Sequence, residues 1–78
     1  MTETNFDQVL DCKGLNCPLP VIKTKKAIDA MAGGQVLKMV ATDPGSKNDI
    51  SAWASRTGHN LLSAEQTDEG FVFFIQKK

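Results

Sequence analysis

The feature that most constrains this chain is a double change of hydrophobic period within its first half. Val21, Thr24, Ile28 and Met31, with Ala27 beside them, fall at i, i+3, i+7 and i+10, while Lys23, Lys25, Lys26 and Asp29 lie elsewhere. That spacing predicts an amphipathic helix from Pro18 to Met31 that buries one stripe. Gly33-Gly34 stops it, because glycine takes the left-handed backbone of a helix end without steric cost. Val36-Leu37-Lys38-Met39-Val40-Ala41 then runs unbroken as a β-rich segment, which reads as a central strand. Val9-Leu10-Asp11-Cys12 reads as a shorter strand, divided from the helix by Lys13-Gly14-Leu15-Asn16, whose composition is that of a turn.

The second half repeats the βα theme and then departs from it. Asp43-Pro44-Gly45 forces a turn, and Ser46 with Asp49 three residues on predicts a capping-box-like start to a second helix. Ile50, Trp53, Ala54 and Thr57 give i, i+3, i+4, i+7 spacing, which makes Trp53 a core residue, and Gly58 ends that helix. Asn60 to Gln66 reads as a third strand, Thr67-Asp68-Glu69-Gly70 as a hairpin turn, and Phe71-Val72-Phe73-Phe74-Ile75 as the fourth and most hydrophobic strand. Lys77-Lys78 discourage pairing at a sheet edge. The order is β-α-β-α-β-β, and right-handed crossovers place both helices on one face of the sheet. A two-layer α/β sandwich results. Its other face is left to solvent or to a partner; Lys38 and Val40 share one side of their strand, so the pattern is compatible with both.

Composition narrows the class. Seventy-eight residues suit one domain spanning 1–78, with the polar residues 1–7 expected to fray. Such a chain buries roughly 60–65% of the surface its unfolded form exposes. Nine basic and nine acidic side chains cancel, which argues against a protein built to coat nucleic acid. No apolar run approaches the ~20 residues of a membrane span. The start, Met1-Thr2-Glu3-Thr4-Asn5, lacks the basic and apolar stretches of a signal peptide, so the cytoplasm is the expected location.

The chemistry concentrates in Cys17-Pro18-Leu19-Pro20. Proline is favoured at the first helical position, and tolerated at the third, because first-turn amides have no intrahelical acceptors. With Pro18 first, Cys17 falls at the N-cap, beside the positive end of the helix dipole. The Leu19 amide is then the donor expected to reach its sulfur. A helix end contributes about 0.3–1 kcal/mol to an adjacent anion, roughly half a pKa unit, and the thiolate is the reactive form of a thiol. Lys13, or a basic group from a partner, adds to that. The expected product is a modestly activated, exposed thiol suited to accepting and donating a ligand.

Other cysteine chemistry fits less well. Cys12 reads as a buried small hydrophobe, and cytoplasmic conditions oppose a Cys12–Cys17 disulfide. A structural zinc site takes four protein ligands, whereas Cys12, Cys17 and His59 supply three, so no metal is expected. The second helix carries the chain about twelve residues, roughly 18 Å, away from the Cys17 edge. His59 therefore takes no part in the chemistry. Lys23, Lys25 and Lys26 form a basic cluster beginning one turn beyond Cys17, either a solvated helix face or a docking surface.

Asp11-Cys12-Lys13-Gly14-Leu15-Asn16-Cys17-Pro18-Leu19-Pro20 resembles the signature of the TusA/SirA family of sulfur carriers, a Cys-Pro-x-Pro box after an Asp-x-x-Gly-Leu turn. Asp43-Pro44-Gly45-Ser46 with Asp49-Ile50 resembles the family's entry into its second helix, and the likeness covers residues 9–77. It implies a βαβαββ two-layer sandwich with a four-stranded mixed sheet. It also implies sulfur relay by a carrier rather than a stand-alone enzyme. Cys17 would receive sulfane sulfur as a persulfide from a cysteine desulfurase or rhodanese-like donor and pass it to an acceptor protein. The destinations of the family are tRNA 2-thiouridine, molybdenum cofactor synthesis and sulfur oxidation. Asp11, Gly14, Pro18, Leu19 and Pro20 would support the motif, and Lys13, Lys23, Lys25 and Lys26 would dock partners. No cofactor is implied beyond the covalently carried sulfur, and neither a membrane nor stable nucleic-acid binding is expected. The competing readings are a thiol–disulfide redox protein using Cys12 and Cys17, and a small RNA-binding module using the lysine face.

Overall fold

The computed structural model describes residues 6–16 and 19–78. Strand β1 (Gln8–Cys12) leads to helix α1 (Leu19–Asp29), strand β2 (Val36–Ala41), helix α2 (Ser46–Thr57) and the hairpin β3 (Asn60–Thr67) and β4 (Gly70–Gln76). The spatial order is β1-β2-β4-β3, with β1 and β2 parallel and β4 antiparallel to both its neighbours. The sheet is therefore mixed. β4, the most hydrophobic strand, inserts between β2 and β3, so that both of its edges are paired.

Both helices lie on one face, α1 over β1 and β2, α2 over β3 and β4, each touching the other. Between them and the sheet sits one core, built from Cys12, Ile28, Met31, Leu37, Met39, Ala41, Ile50, Trp53, Ala54, Phe73 and Ile75. The predicted stripe of α1 is present: Thr24, Ile28 and Met31 are buried, and Pro20 joins them. On the second helix Ile50, Trp53 and Ala54 are buried as their spacing predicts.

Three expectations need correction. Ser46 does not cap α2. Gly45 occupies the N-cap with no side-chain hydrogen bond there, and Ser46 is already inside the helix, its buried Oγ without a partner among the described residues. The tight Asp43–Gly45 turn explains this, since the Ser46 amide donates to the Asp43 carbonyl at 3.0 Å and closes the turn by backbone alone. Helix α1 ends at Asp29, ahead of Gly33-Gly34. Its last turn tightens, with the Met31 amide donating to the Ile28 carbonyl, before Gly34 takes a φ of 88°. Lys77 guards no sheet edge, because β4 is interior. Its Nζ donates instead to the Met31 carbonyl at 2.6 Å and the Asp29 carbonyl at 3.4 Å, which satisfies the end of α1.

Of residues 1–7, expected to fray, residues 1–5 lie outside the described residues. Asp7 is tied down, its amide donating to the Val36 carbonyl and its carboxylate accepting from the Val36 amide, both at 2.8 Å. Phe6 lies across the helix-free face of the sheet, its ring 6.1 Å from that of Phe74 and 5.4 Å from the Lys38 ammonium. That face also carries Val40 and Val72, both almost fully buried.

Candidate functional site

The parallel pairing of β1 and β2 aligns Cys12 with Ala41, so the loops that follow the two strands emerge together at one end of the sheet. A short hydrogen-bonded turn joins them. The Asp11 carboxylate accepts the Lys13 amide at 2.9 Å, an Asx turn. Gly14 has a φ of 81°, a left-handed conformation that a side chain would strain. Its amide donates to Thr42 Oγ1 at 2.9 Å, and the Leu15 amide to the Cys12 carbonyl at 3.2 Å. Asp11 and Gly14 thus set the path of the chain toward α1. Thr42, which sequence reasoning passed over, pins that path to the second loop. Its signal was its place directly ahead of Asp43-Pro44-Gly45, where a hydroxyl can reach a neighbouring loop.

Cys17 and Pro18 lie outside the described residues, and with them the expected placing of Cys17 at the N-cap and of Pro18 at the first helical position. The residues around them are described. Leu19, the first residue of α1, gives its amide to the Asn16 carbonyl at 2.9 Å, so this donor is engaged by backbone rather than held for a sulfur. Pro20 does more than preset a turn, because its ring is fully buried and anchors the start of α1.

Cys12 is a free thiol with no exposure at all. Burial pushes its pKa up, the Lys23 ammonium offsets part of that rise, and Asp11 adds to it. A thiol held protonated in a core is a poor nucleophile. His59 lies at the opposite end of the sheet, accepting the Lys78 amide at Nδ1 (3.2 Å), with its ring 5.2 Å from that of Trp53. The length of β2, roughly 17 Å at 3.3 Å per residue, separates it from Cys12.

The lysines divide. Lys13 pairs with Glu69 across to the β3–β4 hairpin at 3.7 Å, an exposed bridge of small energetic weight. Lys25 is held by Asp29 one turn on, at 2.6 Å, and this hydrogen bond keeps the Asp29 pKa below the usual carboxylate range. Lys23 and Lys26 are exposed. Beside them stand two side chains that the sequence reading did not single out as surface residues. Leu19 and Ile22 are each 45% exposed.

The sequence matches the family described as sulfurtransferase TusA over residues 8–77. The chain belongs to the TusA family. The Bacillus subtilis protein YrkI is 55% identical over 73 residues, covering 91% of this chain and 95% of its own. The sulfur carrier protein TusA of Allochromatium vinosum is 49% identical over 73 residues, covering 94% of this chain and 96% of its own. Among solved structures, a SirA-like protein from Desulfitobacterium hafniense shares the fold with a TM-score of 0.75 at 24% identity, over 90% of this chain and 95% of that one. Among the described residues no helix is long and apolar enough to cross a membrane.

Proposed function

We propose that this chain is a cytoplasmic sulfur carrier that holds sulfane sulfur as a persulfide on Cys17 and relays it from a donor protein to an acceptor protein. The observation that carries the reading is the fate of the other cysteine. The chain has two, and Cys12 is sealed in the core, so exchange with another protein falls to Cys17. The same burial speaks against a redox pair made of both thiols. Membership of a family whose relatives are named sulfur carriers supplies the chemistry.

Loading is an exchange at constant oxidation level. The Cys17 thiolate attacks the outer sulfur of a donor persulfide; the donor's sulfur–sulfur bond breaks, its cysteine leaves as a thiolate, and a new sulfur–sulfur bond forms on Cys17. The outer sulfur's proton moves with it or passes to solvent. Delivery runs the same step with the acceptor as nucleophile. Cys17 is two residues from Leu19, which by chain length alone keeps it within roughly 7 Å of the start of α1. The positive helix end there favours the thiolate and the loaded anion alike. Destinations for the sulfur are tRNA 2-thiouridine, molybdenum cofactor synthesis or sulfur oxidation.

Intact-mass measurement after incubation with a cysteine desulfurase and L-cysteine tests this. Wild type is expected to gain the mass of one sulfur atom, and Cys17→Ser to gain none. Cys12→Ala should load like wild type while losing about 1 kcal/mol of stability from the small cavity it leaves. A sulfur that survives Cys17→Ser would place the site elsewhere.

A further inference from the structure

The face of the sheet that carries no helix has a pattern of its own. Strand alternation turns Leu37, Met39, Phe73 and Ile75 toward the core, so Val9, Lys38, Phe74 and Ser63 form one outward row across the four strands. Asp11, Val40, Val72 and Glu65 form the next. That second row is an apolar floor with a carboxylate at each side. Lys38 is engaged by the Phe6 ring and Lys13 by Glu69, so Asp11 and Glu65 set the sign of the charge there. The helix layer is the reverse, with five cations against two carboxylates, although the chain is neutral overall. Exposed apolar side chains are sorted in the same way. Of the five large hydrophobics exposed among the described residues, Phe6 and Val9 lie on the helix-free face, and Leu19 and Ile22 lie on the outer side of α1 beside Lys23 and Lys26.

We propose that these two surfaces fit one another, and that a second copy of this chain seats its α1 on the helix-free face, with aliphatic side chains over the valine floor and lysines toward Asp11 and Glu65. Asp11 and Glu65 stand three strand spacings apart, about 14 Å at ~4.8 Å each, which admits a helix about 10–12 Å across. Two helix-free faces packed back to back would instead set carboxylate against carboxylate, and nucleic acid would meet the same repulsion. Because the contact joins two different surfaces it is heterologous, so copies stack head to tail without a fixed end. One 11-residue helix offers less than the roughly 800 Å² per partner of a standard interface, so stacks form only at high concentration. Chain length keeps Cys17 within roughly 7 Å of Leu19, so a seated α1 has its thiol at the contact. Stacking then withholds Cys17 from exchange; this consequence rests on the carrier reading above, whereas the stacking does not.

Sedimentation velocity of the unloaded protein, from micromolar to millimolar chain concentrations, tests the stacking. Wild type is expected to pass from a single chain to a broad distribution with no stop at the dimer, and added salt should reverse the change. Val9→Gln/Glu65→Gln breaks the sheet face, and Ile22→Gln/Lys26→Gln breaks the helix face. All four positions are exposed, so both variants should keep the wild-type circular dichroism and Tm. Each variant alone should stay a monomer. An equimolar mixture, in which one supplies the helix and the other the sheet face, should form pairs and nothing larger. A wild type that is monomeric at millimolar concentration would overturn the proposal, as would a closed dimer or a mixture that does not pair. The consequence for exchange is read with inorganic polysulfide at one excess concentration, each polysulfide leaving one sulfur shorter. Cys17 of concentrated wild type should load severalfold more slowly than that of dilute wild type, and Val9→Gln/Glu65→Gln should load at the dilute rate throughout. Equal wild-type rates at both concentrations would overturn the screening of the thiol. Failure of dilute wild type to load at Cys17 would sink the carrier reading, with the stacking still decided by sedimentation.

Discussion

The two ends of the sheet are finished differently. At the end where β2 begins, the chain closes on itself. The Gly34 amide donates to the Lys77 carbonyl, the Lys77 amide to the Gln35 carbonyl, Gln76 Nε2 to the Gly34 carbonyl and the Lys78 amide to His59. Lys77 Nζ satisfies the last carbonyls of α1. At the end where β1 and β2 finish, the loops are equally well defined, by Asp11, Gly14 and Thr42, but half-exposed aliphatic side chains and cationic heads face outward. One end spends its polar groups on its own fold. The other is a rigid turn that leaves its nearest helix face without an internal partner.

The largest effect should come from forcing open the end where β1 and β2 finish. Gly70 has a φ of 128°, and a Cβ there would lie 2.6 Å from the Ala41 carbonyl oxygen and 3.2 Å from the Thr42 methyl. Backbone must shift, at a cost of about 3 kcal/mol for strain and overpacking together. Gly70→Ala is expected to lower Tm by more than about 10 °C in a domain of this size, and to displace Thr42 from Gly14. Thermal unfolding followed by circular dichroism measures it; a Tm within about 2 °C of wild type would show that the hairpin does not brace this end.

Much of this architecture was readable from period and punctuation. Val36–Ala41 announced its strand through an unbroken β-rich run, and the two helical stripes fixed which sides of α1 and α2 face the sheet. The failures share a cause. Ser46 has a capping residue's chemistry, but the Asp43–Gly45 turn had already moved the helix start one residue back. Lys77 looked like an edge guard because nothing local reveals that β4 returns between β2 and β3. The exposure of Leu19 and Ile22 is hidden for the opposite reason: they are hydrophobic and lie in a helix, and only the burial of the opposite stripe shows that they face out. The resemblance around the Cys-Pro-x-Pro box pointed to the family, while Thr42, joined to Gly14 from 28 residues away, needed the fold.

A matched pair of substitutions separates the two ends. Thr42→Val removes the acceptor for the Gly14 amide, and Lys77→Met removes the ammonium at the end of α1. The first loses one hydrogen bond worth about 0.5–1.5 kcal/mol net, and the second loses the short bond to Met31 together with the longer one to Asp29, at the upper end of that range. A fall in Tm of roughly 4–8 °C is expected from each. Their loading kinetics should differ. Thr42→Val is expected to slow persulfide loading of Cys17 severalfold with both polysulfide and a protein donor, because the turn feeding α1 loosens, whereas Lys77→Met should load at the wild-type rate. Equal loading by both would mean that the Thr42 bond is structural only, and that the site end tolerates a looser turn.

The smallest effect belongs to the closed end and is read through pH. His59 has its pKa lowered, first by burial and then by the Lys78 and Lys77 charges, with Asp29 pulling weakly the other way. The folded state therefore favours the neutral ring, whose Nδ1 accepts the Lys78 amide. The unfolded chain binds the proton more readily, so His59's contribution is fully present above its ordinary value of about 6.5 and is lost as pH falls through the folded value beneath it. Asp29, held low by Lys25, is lost only at still lower pH, below the ordinary carboxylate value of about 3.9. Between pH 7.5 and 5.5 the wild-type Tm should decline by less than the ~4 °C that 1 kcal/mol would produce, and His59→Gln should flatten that decline. An unchanged slope in His59→Gln would assign the pH response to another group and leave the closed end held by its backbone bonds and Lys77.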